Sequence, residues 1–312
     1  MKFYHNLDDL HLEGLPSVVT VGMFDGVHLG HLAVLKKAVQ ISKENNIPSI
    51  VLTFSNPPAS YFQPEKLSYQ LSTLEEKMAL LKKVGIDIVI ALSFDSYIAS
   101  LSAQQFADDI LVGKLNAKHI VFGYDNHFGR NREGSKEYMD LHYPLISTYR
   151  IEETMVNNEI VSSSLVKNYI QNGKIERVNQ LLNYPYYLNG IVIKGDQLGR
   201  TIGFPTANID VELTKIVPQK GVYFTCCYID DQVYYGMTNI GIRPTVTQSN
   251  ELRIETHLLN FDKDIYGQQL RVEFVSRMRD ETKFDSFPQL VRQLELDKVD
   301  ALNRLTKIHI TS

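Results

Sequence analysis

The sequence predicts two domains of different class: an α/β domain built on a parallel sheet, then a small antiparallel β-barrel finished by a C-terminal helix. Two observations carry this. Over the first half, short β-rich runs alternate with stretches of helical periodicity, the pattern of βαβ units. After Asn183-Tyr184-Pro185-Tyr186 the texture changes to short alternating strands, such as VYFTCCYI and LRVEFV, separated by Gly, Pro, Asn and Asp. A length of 312 residues agrees with two domains of roughly 150 residues each. The change of texture sets the boundary between residues 184 and 185, giving domains 1–184 and 185–312.

Strands are expected at Ser17–Val21, Ser49–Phe54, Ile86–Phe94 and His119–Phe122, with a weaker one at Pro144–Ile151. After the first, Leu32, Leu35 and Val39 recur at helical spacing. Ser72 with Glu75, and Ser102 with Gln105, each read as an N-cap and capping box opening a helix. A further helix is expected from near Ser162 to Gly173. The barrel runs from Tyr187 to about Ser276, and the last helix carries Leu290, Leu294, Ala301 and Leu305 on one side. A parallel sheet of this kind takes its ligands at the carboxyl ends of the strands.

Composition narrows the function. Hydrophobic residues at 44% and charged ones at 22% exclude disordered, collagen-like and coiled-coil chains. The net charge of −4 does not provide the clustered positive field that a nucleic-acid backbone requires. No apolar run approaches the ~20 residues of a membrane span, and MKFYHNLDDLHLEG lacks the apolar core of a signal peptide. The two cysteines, Cys226 and Cys227, are adjacent, so they offer neither a staple nor zinc-ligand spacing and fit a reducing cytoplasm.

The first chemical motif is Gly22-Met23-Phe24-Asp25-Gly26-Val27-His28-Leu29-Gly30-His31, directly after the first strand. Its glycines allow a ligand close to the backbone. His28 and His31 lie three apart where a helix begins, and a helix N-terminus is a natural seat for phosphate. Read from the residues alone, a metal pair or a plain strand-to-helix turn remains an alternative. The segment resembles the nucleotidyltransferase signature GxFDGxHxGH. That resemblance implies a Rossmann-like nucleotidyltransferase domain in which His28 and His31 bind the phosphates around the reacting α-phosphorus, with Gly22, Phe24 and Asp25 in the same nucleotide site.

Val161-Ser162-Ser163-Ser164-Leu165-Val166-Lys167 is similar to the ISSTxIR segment of prokaryotic FAD synthetases, which implies that Ser163, Ser164 and Lys167 hold a triphosphate. On its own the serine run reads as a helix cap. Phe122-Gly123-Tyr124-Asp125-Asn126-His127-Phe128-Gly129-Arg130-Asn131-Arg132-Glu133-Gly134 resembles the glycine-rich FGxDFxFGxxRxG loop, which places Asp125 in the nucleotide site. The chain departs from the family in three places. Asn126 stands where an aromatic residue is usual, Thr53-Phe54-Ser55-Asn56-Pro57-Pro58 lacks the histidine of FxPHP, and Lys167 replaces an arginine. The last change exchanges a rigid phosphate-gripping fork for a point charge.

The second half carries Gly195-Asp196-Gln197-Leu198-Gly199-Arg200-Thr201-Ile202-Gly203-Phe204-Pro205-Thr206-Ala207-Asn208, whose glycines permit a tight loop of phosphate-facing N–H groups. The Thr206 hydroxyl and the Asn208 amide oxygen suit Mg²⁺ or its waters. The string resembles the riboflavin kinase loop with its GFPTAN core, which implies a kinase nucleotide site with Gly199, Gly203, Thr206 and Asn208. Gly236-Met237-Thr238-Asn239-Ile240-Gly241-Ile242-Arg243-Pro244-Thr245 resembles the NIGxRPT flap, and Glu255-Thr256-His257-Leu258-Leu259-Asn260-Phe261 with Asp264-Ile265-Tyr266-Gly267 resembles the ExHLLxFxxDLYG strand. These place Asn239, Arg243 and Glu255 at the flavin and make Glu255 the candidate general base. His257 shares the strand face of Glu255 and reads equally as a packed core residue.

With five motifs in order across both halves, the chain is identified as a member of the prokaryotic bifunctional riboflavin kinase/FAD synthetase (FMN adenylyltransferase) family. Membership implies ATP-dependent phosphorylation of riboflavin to FMN, then adenylylation of FMN to FAD with release of pyrophosphate, with Mg²⁺ at each site. The implied ligands are flavins and ATP, with no nucleic acid and no membrane. The three departures leave open a kinase whose adenylyltransferase half is weakened or inactive. A non-catalytic flavin-binding module is the reading from another class, opposed by His28, His31, Thr206, Asn208 and Glu255 occurring together.

Overall fold

Continuous Val, Ile and Leu runs in the first half form a parallel sheet. Its strands are β1 (Lys2–Tyr4), β2 (Ser17–Val21), β3 (Ser49–Phe54), β4 (Ile88–Leu92), β5 (Ala117–Phe122) and β6 (Ser147–Arg150), in the order β1-β4-β3-β2-β5-β6. The computed structural model describes residues 1–312 apart from 13, 231, 245–249 and 312, with side chains described except at 243, 244, 250, 251 and 308–311. Strands β2, β3 and β4 are buried along their whole length, as a parallel sheet covered on both faces demands. Their alternate residues feed two cores: Val18, Val51 and Val89 on one face, Val19, Ile50, Leu52 and Ile90 on the other. The sequence reading missed β1, a three-residue, largely exposed strand that pairs with β4 through Lys2↔Ile88 and Tyr4↔Ile90. Such a run is too short to show a period.

Helix α1 (Leu29–Asn45) buries Val34, Leu35, Ala38, Val39 and Ile41. It is followed by α2 (Pro58–Phe62), α3 (Leu74–Val84), α4 (Ser96–Ser100), α5 (Ala103–Gln105), which continues as π-helix over Phe106–Lys114, and α6 (Lys136–His142). The box at Ser102 and Gln105 is present. The expected box at Ser72 and Glu75 is corrected: Thr73 is the N-cap and Glu76 its partner. Ser72 is occupied elsewhere, its hydroxyl accepting from the Gly26 N–H at 3.0 Å. Strands β3 and β4 lie on one side of β2, β5 and β6 on the other. The loops after β2 and β5 therefore leave the sheet where its winding reverses, the crevice in which such sheets bind ligands.

A hairpin of β7 (Met155–Val156) and β8 (Glu159–Ile160) turns on Asn157 and Asn158, both at positive φ. The chain divides into two compact units, Met1–Ser163 and Ser164–Ser312. Helices α7 (Ser163–Gln171) and α8 (Ile175–Leu182) thus fall almost wholly in the second unit, ahead of the 184/185 point read from the motifs. Helix α8 buries Ile175, Val178, Leu181 and Leu182. Its Asn179 donates to the Phe274 carbonyl and accepts from the Tyr186 N–H, each at 2.8 Å.

The barrel comprises β9 (Tyr187–Ile193), β10 (Ala207–Val211), β11 (Gly221–Ile229), β12 (Gln232–Pro244), β13 (Asn250–Leu258) and β14 (Gln269–Arg279). It closes in the order β10-β13-β12-β11-β14-β9, antiparallel throughout. Inside, the fully buried hydroxyls of Thr225, Thr238 and Thr256 lie 2.9 Å apart in sequence, and Thr225 donates to the Gly236 carbonyl at 3.2 Å. A short α9 (Leu198–Thr201) joins β9 to β10, and α10 (Phe287–Thr311) ends the chain. The expected stripe of α10 is present: Ala301 is fully buried, and Leu294 and Leu305 pack with it on Phe204, Val222, Phe224 and Met237.

Asp297 of α10 takes the Arg279 guanidinium in a two-pronged grip, Nε at 2.9 Å and Nη2 at 2.7 Å, while itself nearly sealed from solvent. Asp297→Ala leaves that arginine without its counter-charge, an imbalance costing roughly 3 kcal/mol. The expected result is a lower unfolding midpoint for the second unit, read by thermal inactivation. An unchanged midpoint contradicts the role given to this pair.

Candidate active sites

The loop after β2 takes an unusual path. Phe24, Gly26 and Val27 all have positive φ, and a Cβ on Gly26 would press on Leu71 at 2.8 Å. The turn is held by the Asp25 carboxylate, which accepts from the N–H groups of Leu71 at 2.8 Å and Ser72 at 3.2 Å. Lys77 and Thr53 hold the Met23 carbonyl from behind, at 3.0 and 3.1 Å. Asp25 and Phe24 thus serve the loop from its buried side, with the Phe24 ring edge-on to His31 at 5.3 Å.

His28 is the N-cap of α1, its Nδ1 accepting from the His31 N–H at 3.4 Å. The remaining ring proton therefore sits on Nε2. The two imidazoles stack at 3.7 Å and 19°, and Gly30 makes room for them, since a Cβ there would lie 3.3 Å from the His28 ring. The His31 Nδ1 is buried and without a partner. Burial is the main cause that pulls His28 down to about 4 against the pull of Asp25. Burial, then His28 and Lys77, hold His31 well below the usual imidazole range. Burial thus favours the neutral form of both rings in the free protein.

The Gly22 segment meets the loop after β5 in the same crevice. Asn126 donates to the Val21 carbonyl at the end of β2. The residue that departs from the family pattern thus ties the two loops together. Gly129 has φ 72° and lies against the Ala103 backbone, and Gly134 lies against the Phe128 ring, so neither position admits a side chain. Arg132 donates to the Asp125 carbonyl at 3.1 Å, and Asp125 itself is exposed. Asn56, in the segment without the family histidine, exchanges hydrogen bonds with the Phe94 backbone at 2.8 and 3.0 Å. The Ser163 hydroxyl donates to the Asp25 carbonyl at 3.1 Å, within the first unit. Ser164 and Lys167 follow on α7 in the second unit.

The second site is set by barrel register. Asn208 of β10 lies opposite Glu255 of β13, which lies opposite Asn239 of β12. Opposed residues in antiparallel strands point to one face, so the three form a single row. Glu255 and Asn239 line a cavity of about 400 Å³ together with Gly199, Phe204, Thr206, His257 and Arg279. A second cavity of about 290 Å³ is lined by Thr206, Arg200 and the 261–266 turn. Thr206 thus borders both. Gly199 packs on the Phe204 backbone and Gly195 on the Asn208 amide, while Gly203 takes φ 80°.

Burial pushes Glu255 above the usual carboxylate range; Arg253 opposes this and Asp196 adds to it. Arg253 is engaged chiefly by Asp196, at 2.8 Å, and stands 4.0 Å from Glu255. His257 Nδ1 lies 2.8 Å from the Pro205 carbonyl, so this histidine pins the GFPTAN segment. The Arg243 side chain and Thr245 lie outside the described residues. Sequence reasoning missed Lys77, Arg253, Arg279 and Asp297. A lysine on an amphipathic helix reads as solvated, and no local signal marks Lys77 as buried.

Comparison with known proteins assigns a family to each half of the chain. Residues 12–165 match the FAD synthetase family and 182–305 the riboflavin kinase family. The chain is 36% identical to a bifunctional riboflavin kinase/FMN adenylyltransferase of Bacillus subtilis, over 99% of each chain. It is 35% identical to that of Escherichia coli K12, over 95% of each. A crystal structure of a Streptococcus pneumoniae protein titled macrolide-efflux protein superposes with a TM-score of 0.90 at 31% identity, covering 96% of this chain and 98% of that one. Among the described residues, no helix here is long and apolar enough to cross a membrane.

The neutral histidines carry a pH signature. Their folded-state pKa values lie below the unfolded value of 6.5, so the stability they contribute is complete above that pH. It is lost as pH falls from about 6.5 toward 4. The unfolding midpoint of the first unit should drop between pH 6.5 and 5, less steeply in His28→Gln. Parallel curves for the two proteins would show that His28 is not protected from protonation.

Proposed function

The chain belongs to the bifunctional riboflavin kinase/FMN adenylyltransferase family, making FMN from riboflavin and FAD from FMN, and we propose that its residues divide the two steps as follows. The second unit phosphorylates. The row Asn208, Glu255 and Asn239 beside the 400 Å³ cavity is the observation that carries this assignment. Riboflavin enters that cavity, ATP lies in the 290 Å³ cavity, and the Gly195–Asn208 segment between them brings the γ-phosphorus to the 5′-hydroxyl. Glu255, with its raised proton affinity, takes the hydroxyl proton as the oxygen attacks and ADP departs. Arg279 is committed to Asp297 and shapes the cavity wall. Asn239 contacts the flavin from β12, and Arg243 follows it on the same strand.

Thr206 and Asn208 fit Mg²⁺ by their chemistry. They are hard oxygen donors, and Mg²⁺ characteristically takes few protein ligands beside phosphate oxygens and water. Such a cation would neutralise charge on the leaving phosphates. Among the described residues, no cluster of three His, Cys, Asp or Glu offers a self-sufficient metal site.

The first unit adenylylates. The FMN phosphate, already ionised, attacks the α-phosphorus of ATP and pyrophosphate leaves, so no general base is needed. The His28 Nε2–H is the donor offered to the reacting phosphate and stabilises its growing charge, with the His31 ring stacked against it. Gly22 and Asp125 border the same nucleotide, and Ser163, the last residue of this unit, holds the triphosphate where α7 begins. The isoalloxazine lies on the aromatic cluster at the carboxyl end of the sheet. There Phe54, Tyr61, Phe62 and Phe94 meet edge to face and Phe62 is 66% exposed. Both thiols are buried and free, which suits the reducing cytoplasm proposed for this enzyme.

Two substitutions test the division. His28→Ala or His31→Ala abolishes FAD formation and spares FMN formation, measured by separating the flavins after incubation with ATP and Mg²⁺. Loss of both activities from a folded His28→Ala protein rules out two independent sites. Glu255→Gln keeps the shape but not the base, so kinase turnover falls by about 10²–10⁴-fold with little change in substrate binding. Retention of more than about half of turnover refutes the assignment of the base.

A further inference from the structure

Lys77 is a buried cation with no role in either step as assigned. It is 2% exposed and extends from α3 beneath the carboxyl ends of β2 and β3. There its ammonium reaches the Met23 carbonyl at 3.0 Å, Thr53 Oγ1 at 3.2 Å and the Phe54 carbonyl at 3.0 Å. Three donors meet three acceptors, and all three acceptors are neutral oxygens. Burying an ammonium on neutral partners is expensive, and a methionine fills the same space without that cost. Retaining the charge therefore points to what the charge does.

The groups facing it define that role. Asp25 comes from the loop, His28 and His31 from the start of α1, and Glu76 lies beside it on α3 in the N-cap box. Burial holds both histidines below the usual imidazole range, so in the free protein the ammonium is the cation among these groups. The ammonium lies close enough to bear on His31 and on Asp25.

We propose that Lys77 is a positioning residue for adenylyl transfer: it fixes the Met23 carbonyl, and with it the Gly22–His31 loop, and lends the triphosphate site a standing positive charge. The proposal rests on the reading that His28 and His31 bound that site. Burial pulls the lysine down to about 8, although Asp25 opposes the fall. Above that pH the ammonium loses its charge and one of its three donors. FAD formation therefore declines as pH rises through about 8, while the kinase step, run by the other unit, does not share that limb.

The test uses the intact protein with added FMN, ATP and Mg²⁺ from pH 6.5 to 9.5, with FMN formation from riboflavin as the control. Wild type shows a basic limb near pH 8 in kcat/KM for ATP in FAD formation, the quantity that reports the free enzyme, and kcat is read alongside it. Lys77→Met lowers that kcat about a hundredfold, the size of a small misplacement of the reacting groups, and abolishes the limb. Lys77→Arg stays charged throughout and carries the limb beyond pH 9.5. A purely structural lysine would lower activity only with the folded fraction and leave the limb in place. Absence of the limb in wild type, or its survival near pH 8 in either folded variant, overturns the proposal. His28→Ala separates the two ideas: FAD synthesis surviving that change defeats the reading of the site itself, whatever Lys77 does.

Discussion

The Met23 carbonyl receives hydrogen bonds from Thr53 and Lys77, and everything after it in the loop inherits that fixed starting point. Phe24 and Val27 of that loop then adopt positive φ, conformations that cost a non-glycine residue energy and persist only when the surroundings impose them. The imposing contacts come from far along the chain: Leu71 and Ser72 on Asp25, the Ser72 hydroxyl on Gly26, and Ser163 on the Asp25 carbonyl. The loop itself contributes the His31 N–H on His28 Nδ1. The fold delegates the rest of the holding to neighbours, so the loop is shaped before any ligand arrives.

The barrel solves the same problem by register. Closure leaves each strand one set of neighbours, so Asn208, Glu255 and Asn239 cannot drift apart without breaking ladders on both sides. The glycine-rich segment feeding β10 is again fixed from outside, by His257 on Pro205 and Arg253 on Asp196. In both units a side chain remote in sequence secures the backbone of the glycine-rich motif.

Most of the architecture was legible because its signals are local. Buried parallel strands read as unbroken apolar runs, the amphipathic stripe of α10 repeats at helical spacing, and glycine loops announce close backbone approach. What escaped was cooperative. The cap of α3 fell one residue later than expected because Ser72 answers to Gly26, a partner 46 positions away. β1 depends wholly on the neighbour it pairs with. Lys77 and Arg253 look like solvated charges until the fold places an acceptor at each. Asn126, which breaks the family pattern, bonds the end of β2 and so keeps the two crevice loops joined.

The threonines inside the barrel have a consequence for how this sequence can drift. Thr225 spends its hydrogen on the Gly236 carbonyl, so Thr238 must donate to Thr225 and Thr256 to Thr238. The row has a head and a tail. A valine at position 256, the tail, removes a donor and strands no hydrogen. A valine at 225 strands the Thr238 hydrogen and strips one donor from the Gly236 carbonyl, an imbalance that a dry interior penalises. Apolar replacement can therefore enter this interior from one end only, beginning beside Glu255 and proceeding toward β11. The order in which neighbouring sites become replaceable is written into the direction of three hydroxyl bonds.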